Sequence, residues 1–562
     1  MLTKHNGVTV IKRTILFLSF FLLSELSHSQ SGETISFGKM FGPAGFGRFD
    51  QFSFLIPEGE KRVVFTSNEQ QGVQPGPNDH AIYGGLLGSG ARQRIALQPE
   101  FLFNTFVLNS TSPNGEILLY QIQQSVGSHT RGFPTIIRTD GTGEPIALAN
   151  QGGNILGQTQ FTSDSRFLIF SETIFDRLAP NFDHMKRFIF VADLEQALTS
   201  DNNSPLEPIN TQLDVGSFRV SEHGKRILYQ DESTGRLLST DFSGVSTIEL
   251  FNDRISTGAF SVDPDSNLAL FADVSRRNLY KVDVVSGEFN IVASASTTET
   301  VIGRFSFMDS NTVVYDERSS DSIVKTTGIY RLDLDDESTQ PLLSLPTIPN
   351  STFSGISFSI SQDRSSLIYG FTDSNSELGE RRLISSIEIA SGINNHFSQE
   401  FMPYGRTLKE LEVSKNGALV AFVIDRDIES INELYLYSAE SNDIKKVHPD
   451  FVAGQEVIFN SQFPSIEITP DSQRVLYRAR QDSILNYDLY AANVADGSVT
   501  RVNTERDPSV NVFDFKVSPQ GGFVVWNNSI GDLNARRLID RDVGSLCFPL
   551  VTKAGAVSSI CL

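Results

Sequence analysis

The stretch TPDSQRVLY, residues 469–477, followed by LNYDLYAANVADGSVTRV, residues 485–502, decides the fold. Its first four residues are a turn of the form Ser/Thr-x-Asp/Asn-Gly/Ser, in which short polar side chains bond their own backbone. RVLY is then an apolar run rich in β-formers and ending in an aromatic, the signature of a strand. DLYAANV and SVTRV are two more strands, joined by an Ala-Asp-Gly turn where glycine takes a positive φ without a Cβ clash. With the strand ahead of Thr469, four short strands are readable, here named A to D in chain order.

The same unit returns along the chain. SPNGEILLY ends at Tyr120, SDSRFLIF at Phe170, SEHGKRILY at Tyr229, SQDRSSLIY at Tyr369 and SKNGALVAF at Phe422. Weaker copies end at Phe65, Phe271, Tyr315 and Trp526, and the ten aromatics are spaced 42 to 59 residues apart, the length of a four-stranded blade with its loops. RRNLYKVDVVSGEFNIV from Arg276 and INELYLYSAESNDIKKV from Ile431 supply further C and D strands. Neither keeps the i, i+3, i+4 spacing of an amphipathic helix. The 42 phenylalanines suit sheet faces that pack on neighbouring blades.

These strings resemble the repeats of TolB-like propellers, a WD-type architecture, and are similar to the propeller domains of prolyl oligopeptidase-like enzymes. The resemblance covers nearly the whole chain and implies an all-β fold, a β-propeller of about ten four-stranded blades. Many copies lack the Trp of the first strand and the full SPDG turn. Closed propellers usually have four to eight blades, so two adjacent rings are expected in preference to one large ring. A seam near Ser294–Thr300 would divide the repeats into residues 30–300 and 301–545, with the Pro-rich stretches 201–210 and 341–350 as rival linkers.

At the N-terminus, Lys4, Lys12 and Arg13 precede the apolar run ILFLSFFLL, and small Ser27 and Ser29 follow it. Residues 1–29 therefore read as a secretory signal peptide, and the protein is expected to be secreted or periplasmic. Cys547 and Cys561 are the sole cysteines and are expected to form a disulfide in the C-terminal tail, residues 546–562. The formal net charge of −21 argues against nucleic acid as a partner.

Chemical motifs are absent. GLLGSGAR from Gly85 lacks the spacing of a nucleophile elbow. DPDSNLALFADV from Asp263 starts like a calcium loop, but Leu268 and Val274 stand where Gly and Glu are needed, and it reads as the A–B turn of the fifth unit. The eight histidines show no paired spacing, LDLDDE (332–337) reads as a strand entering a solvated turn, and no cofactor or metal is expected. One pattern stands out in the B–C loops. They open acidic (Asp231, Glu232, Asp316, Glu317, Asp425, Asp427), and four basic pairs follow: Lys186 with Arg187, Arg276 with Arg277, Arg381 with Arg382, and Arg536 with Arg537. Placed just before strand C, they would form a basic rim for an anionic partner, or else pair with acids in their own hairpins. The expected function is non-enzymatic binding or scaffolding of a protein or glycan, the alternative being a glycan-acting enzyme or carbohydrate-binding protein on the same fold.

Overall fold

One aromatic per repeat sets the frame of the structure, a computed structural model describing residues 35–39, 54–59, 62–67, 81–87, 89, 91–97, 104–126, 129–148, 155–175, 185–199, 206–209, 214–319, 326–343, 351–361, 363–375, 378–395, 403, 408–459, 464–503, 510–529, 532–538, 547–551 and 557–561. Phe65, Tyr120, Phe170, Tyr229, Phe271, Tyr315, Tyr369, Phe422, Tyr477 and Trp526 each lie on strand B of their own sheet, and none is more than 2 % exposed. Six of them stack on the residue directly opposite on strand C, as Phe271 does on Tyr280 and Tyr477 on Tyr490. In these six blades the strand pattern places one ring on each of two adjacent strands, and the pairing of large flat faces supports the register.

Ten antiparallel sheets result, spanning residues 54–97, 104–147, 155–193, 215–251, 255–294, 300–341, 351–395, 408–446, 466–501 and 512–537, numbered blades 1 to 10. Nine have four strands. Blade 3 has three among the described residues, and Ile209 lies beside its strand C, its N–H donating to the Ile189 carbonyl. The outer strand of blade 10 is Ile35–Lys39, which pairs antiparallel with Asp532–Arg537.

Apolar clusters fill every junction between successive blades. Phe54, Phe65 and Tyr83 of blade 1 meet Phe523, Val525 and Leu533 of blade 10, so the blades close into a single ten-bladed ring. The expected seam near Ser294–Thr300 is an ordinary junction: Leu270, Leu279 and Val292 of blade 5 pack on Ile302, Val313, Tyr315 and Leu332 of blade 6. The Pro-rich stretches at 201–210 and 341–350 fall between blades 3 and 4 and between blades 6 and 7. All ten described blades belong to this one ring. The reason is local: each blade packs on the next through the same pair of faces, and blade 10 finds blade 1 where an eleventh would go.

A ring of this kind exposes the free edge of each strand A to the central channel, and polar side chains from the preceding blade satisfy it. Gln158 of blade 3 accepts from Phe218 N–H and donates to Phe218 O, at 3.2 and 2.8 Å. Gln230 does the same for Gly258 N–H and Ile255 O in blade 5. Glu410 accepts from Ser465 N–H and Glu467 from Val517 N–H, both at 3.0 Å, and Lys516 donates to Phe54 O across the closing junction.

The hairpin Cys547–Val551 and Val557–Cys561 joins none of the blades. Cys547 stands opposite Cys561 in its register, a pairing whose usual Cα separation suits a disulfide. The side chains of both cysteines, and the signal segment 1–29, lie outside the described residues.

Candidate functional site

The site grows from the repeated A–B turns. In blade 2 the Ser112 hydroxyl donates to Asn114 Oδ1 and accepts from Ile117 N–H, at 2.7 and 3.0 Å. Thr162 with Asp164, Ser361 with Asp363, Ser414 with Asn416 and Thr469 with Asp471 repeat the pattern. The motif hydroxyls and carboxyls are therefore consumed in holding the turns. The fourth residue takes a left-handed φ, and Gly115 (φ +71°) also lets the turn press on blade 1: a Cβ there would lie 2.3 Å from the Glu58 carbonyl.

All these turns emerge on one face, around the channel mouth, and three cavities open among them. A cavity of about 590 Å³ is lined by Ile360 and Ser361 of blade 7, Glu412 to Lys415 of blade 8, Ile468 and Pro470 of blade 9, Pro519 of blade 10 and Glu58 of blade 1. A second of about 410 Å³ runs from Ile56 and Glu58 past Ser110–Pro113 to Thr159 and Phe161. The third, about 300 Å³, lies between blades 1 and 2 with Arg62, Arg138 and Asp140 in its wall. Glu58 borders all three.

Behind the largest cavity the inner strands of blades 8, 9 and 10, Leu408–Val413, Ile466–Ile468 and Val512–Val517, carry Glu410, Glu412, Glu467, Asp514 and Lys516. Burial, reinforced by the like charge of Glu410, pushes the Glu412 carboxyl up to about 7. Burial lifts Glu467 further, to about 8; the Val517 N–H and Lys516 oppose the shift, while Glu412 and Asp514 add to it. Asp514 is raised by burial as well, against the pull of Lys516 and Arg478. Arg478, also buried, donates to the Phe513 carbonyl. This wall crowds acidic groups together largely out of water, and burial raises Glu412, Glu467 and Asp514 above the ordinary carboxyl range.

Sequence reading missed the wall, although a signal was present. Glu412, Glu467 and Lys516 each stand two residues before the Ser/Thr of their turn, so aligning the turns puts all three at one level of the channel.

The basic pairs are placed differently from one another. Lys186 and Arg187, Arg276 and Arg277, and Arg381 and Arg382 lie at the B–C end of blades 3, 5 and 7, on the face opposite the turns. Arg536 and Arg537 end their strand C, with Arg537 opposite Phe523, and so belong to the turn face; the expected single rim of four pairs does not form. Arg381 pairs with the buried Asp373 at 2.9 Å. Arg187 donates to the Val215 and Gly216 carbonyls, Arg277 to Thr300 O, Arg536 to Val502 O, and Arg276 to the Ser256 hydroxyl. Lys186 and Arg382 are exposed, and Arg537 lies over the Phe523 ring.

Asp263 sits in the A–B turn of blade 5, where Asp265 N–H donates to it. Among the described residues no group of three or more His, Cys, Asp or Glu is arranged to hold a metal ion. His448 is buried against Phe451, and burial holds its imidazole down at about 4.

No family model matches the chain, and no curated protein matches it either. Solved structures do. An oligogalacturonate lyase in complex with manganese is 14 % identical with a TM-score of 0.34, covering 70 % of this chain and 97 % of that one. The Dos1 propeller is 11 % identical with a TM-score of 0.36, over 68 % and 92 %. Porphyromonas gingivalis dipeptidyl peptidase 4 is 11 % identical with a TM-score of 0.38, over 80 % and 63 %. What they share with this chain is the propeller fold. No described helix is long and apolar enough to cross a membrane.

Proposed function

We propose that this is an exported, non-enzymatic binding protein that takes its ligand or partner at the turn-side mouth of the central channel. The observation that carries the reading is the cavity of about 590 Å³ built from the A–B turns of four successive blades and closed by Glu58 of a fifth. Its walls are backbone turns fixed by their own hydroxyls and strand edges fixed by the preceding blade, so a ligand meets a surface that is already ordered, and little conformational entropy remains to be lost on binding. On the opposite face, four arginines of the basic pairs, Arg187, Arg276, Arg277 and Arg381, are engaged within the ring, which supports the turn side as the open one.

The test is affinity capture from the native secretome or envelope with the mature chain, beside a Glu58→Arg, Lys415→Glu variant. Both residues are exposed, and neither side chain holds a turn or a strand edge. The double variant is expected to lose capture with an unchanged melting curve. Capture that survives it but fails in an Arg276→Ala, Arg381→Ala variant would move the site to the opposite face. Turnover of a glycan or peptide, abolished by one substitution in the wall, would overturn the non-enzymatic reading.

A further inference from the structure

Among the described residues the outer strands of the blades are guarded, with one exception. A strand at the edge of a sheet offers unpaired N–H and C=O groups to any other chain, and charge, proline or shortness is what keeps such an edge from pairing. Blades 2 and 7 have outer strands of two residues. Blade 6 ends its outer strand on Pro341, and those of blades 1, 4, 8, 9 and 10 carry Arg94, Glu249, Lys445, Arg501 and Lys39. Strand D of blade 5, Phe289–Ser294, is six residues long and has neither charge nor proline. The bulge between it and strand C is no substitute, since blades 1 and 4 have a bulge in the same strand pair and are charged as well.

This edge is open and apolar. The Glu288 carbonyl accepts from Asp283 N–H, so antiparallel alternation turns the backbone groups of Phe289 and Ile291 away from strand C. Their side chains are 48 % and 47 % exposed, and Val285 in the adjoining turn is 48 % exposed. The Phe289 ring rests on Phe251 of blade 4 and on Phe271 and Tyr280 of its own blade, so it is held in place with its free side in water. The rest of the surface works against contact between copies: the chain carries −21, and like charges set directly opposite weaken a strand pair. Phe289–Ser294 escapes the second penalty, because no residue of the strand can meet its own charge across a two-fold axis. The acids beside it are Glu288, ahead of the strand, and Glu337 of blade 6, which accepts from the Asn290 amide.

We infer that strand D of blade 5 pairs with the same strand of a second copy of this chain, antiparallel across a two-fold axis, so that two four-stranded blades join into one continuous sheet. The outward backbone groups of Phe289 and Ile291 make the hydrogen bonds, and the exposed halves of the two side chains are covered by their counterparts. The contact goes beyond the proposed binding role, since it lies on the outer rim and leaves the turn-side mouth of each ring free.

Sedimentation equilibrium of the purified protein over a wide range of concentration tests this, together with amide hydrogen exchange of the parent in its dilute and concentrated states. A reversible equilibrium between monomer and dimer is expected, with exchange across residues 285–294 slowed in the concentrated state. Ile291→Lys should weaken association about tenfold or more, because it sets two ammonium groups on one neutral strand pair. Leu485→Lys, at a residue 74 % exposed on the B–C side of blade 9, should associate as the parent does. The exchange measurement needs no variant, so the inference stays open to refutation even where Ile291→Lys folds poorly. A parent that stays monomeric throughout, a dimer whose residues 285–294 exchange as fast as in the monomer, or a folded Ile291→Lys that associates as the parent does would each overturn it. Slowed exchange at this strand only in a complex captured with another protein would also overturn self-pairing, and would give the edge to that partner.

Discussion

Two arcs of the inner wall solve one problem with different chemistry. Between blades 3 and 5 the free strand edges are met by the amides of Gln158 and Gln230, each of which both accepts and donates. Between blades 8 and 10 the edge of the next blade is met by Glu410 and Glu467, which reach only the N–H. A glutamine serves the edge at least as well, because it offers a donor the carboxylate lacks. The acidic arc is thus the more costly way to hold the ring, and the cost shows as carboxyl groups pushed toward neutrality.

The largest expected effect should not distinguish the arcs. Phe271→Ala in blade 5 and Phe422→Ala in blade 8 each empty a fully buried site stacked on a strand C tyrosine. Both should lose about 3 to 5 kcal/mol in denaturant unfolding. A large disparity would mean that the arcs differ in their cores and not only at their edges.

Next in size, Gln158→Leu should cost about 1 to 3 kcal/mol, because it orphans both backbone groups of the buried Phe218. Glu467→Gln, by contrast, should be neutral or stabilising above neutral pH. If the two substitutions destabilise equally, the carboxyl is as necessary as the amide and the comparison fails.

The pH dependence sharpens the contrast. Glu412 and Glu467 titrate in the folded chain at about 7 and about 8, above the ordinary 4.5, so the folded state holds more protons than the unfolded one between these values. Their contribution to stability is full below pH 4.5 and is lost as pH rises through 7 and 8. His448 works in the other direction: held at about 4 against an ordinary 6.5, it contributes above pH 6.5, and that contribution is lost as pH falls toward 4. Thermal melts across this range should show stability falling at both ends, with Glu412→Gln, Glu467→Gln flattening the alkaline limb and His448→Gln the acid limb.

The smallest effect concerns the tail. Cys547→Ser, Cys561→Ser should leave the melting of the ring unchanged, since that hairpin belongs to no blade. Intact mass of the parent from its native source under non-reducing conditions should correspond to a chain starting near Gln30 with one disulfide; a mass retaining residues 1–29, or two alkylatable thiols, would contradict the expected export.

The period of the fold was legible because turn and aromatic recur together, and each of the ten aromatics chosen from the sequence sits on a strand B. Ring closure was not. A repeat specifies how one blade sits on the next, but the number of blades per ring depends on a rotation per junction that no single repeat displays. ISFGK at 35–39 carries no motif because its partner, Asp532–Arg537, lies at the far end of the chain. Arg536 and Arg537 were misplaced for a related reason: only a short link joins strands B and C in blade 10, so strand C has begun by Asp532 and the pair arrives at its end. The wall carboxyls escaped because alternation along LKELEV shows which residues share a face, but not that this strand edge borders the channel.

That strand Ile35–Lys39 is the outer strand of blade 10 has a consequence for the order of events in making the protein. Ile35 must wait for Ala535, a partner translated after almost everything else. Nine blades can stack as they emerge, each on its predecessor, but the two ends of the stack stay open, with the apolar faces of blade 1 and the unfinished sheet of blade 10 exposed to water. Joining them closes a loop of nearly the full chain, a contact whose entropic cost is met late and whose rate is correspondingly slow. During that interval a second unfinished molecule could offer the same strand to the same edge, so exchange of Ile35–Lys39 between two chains is the natural misassembly of this ring.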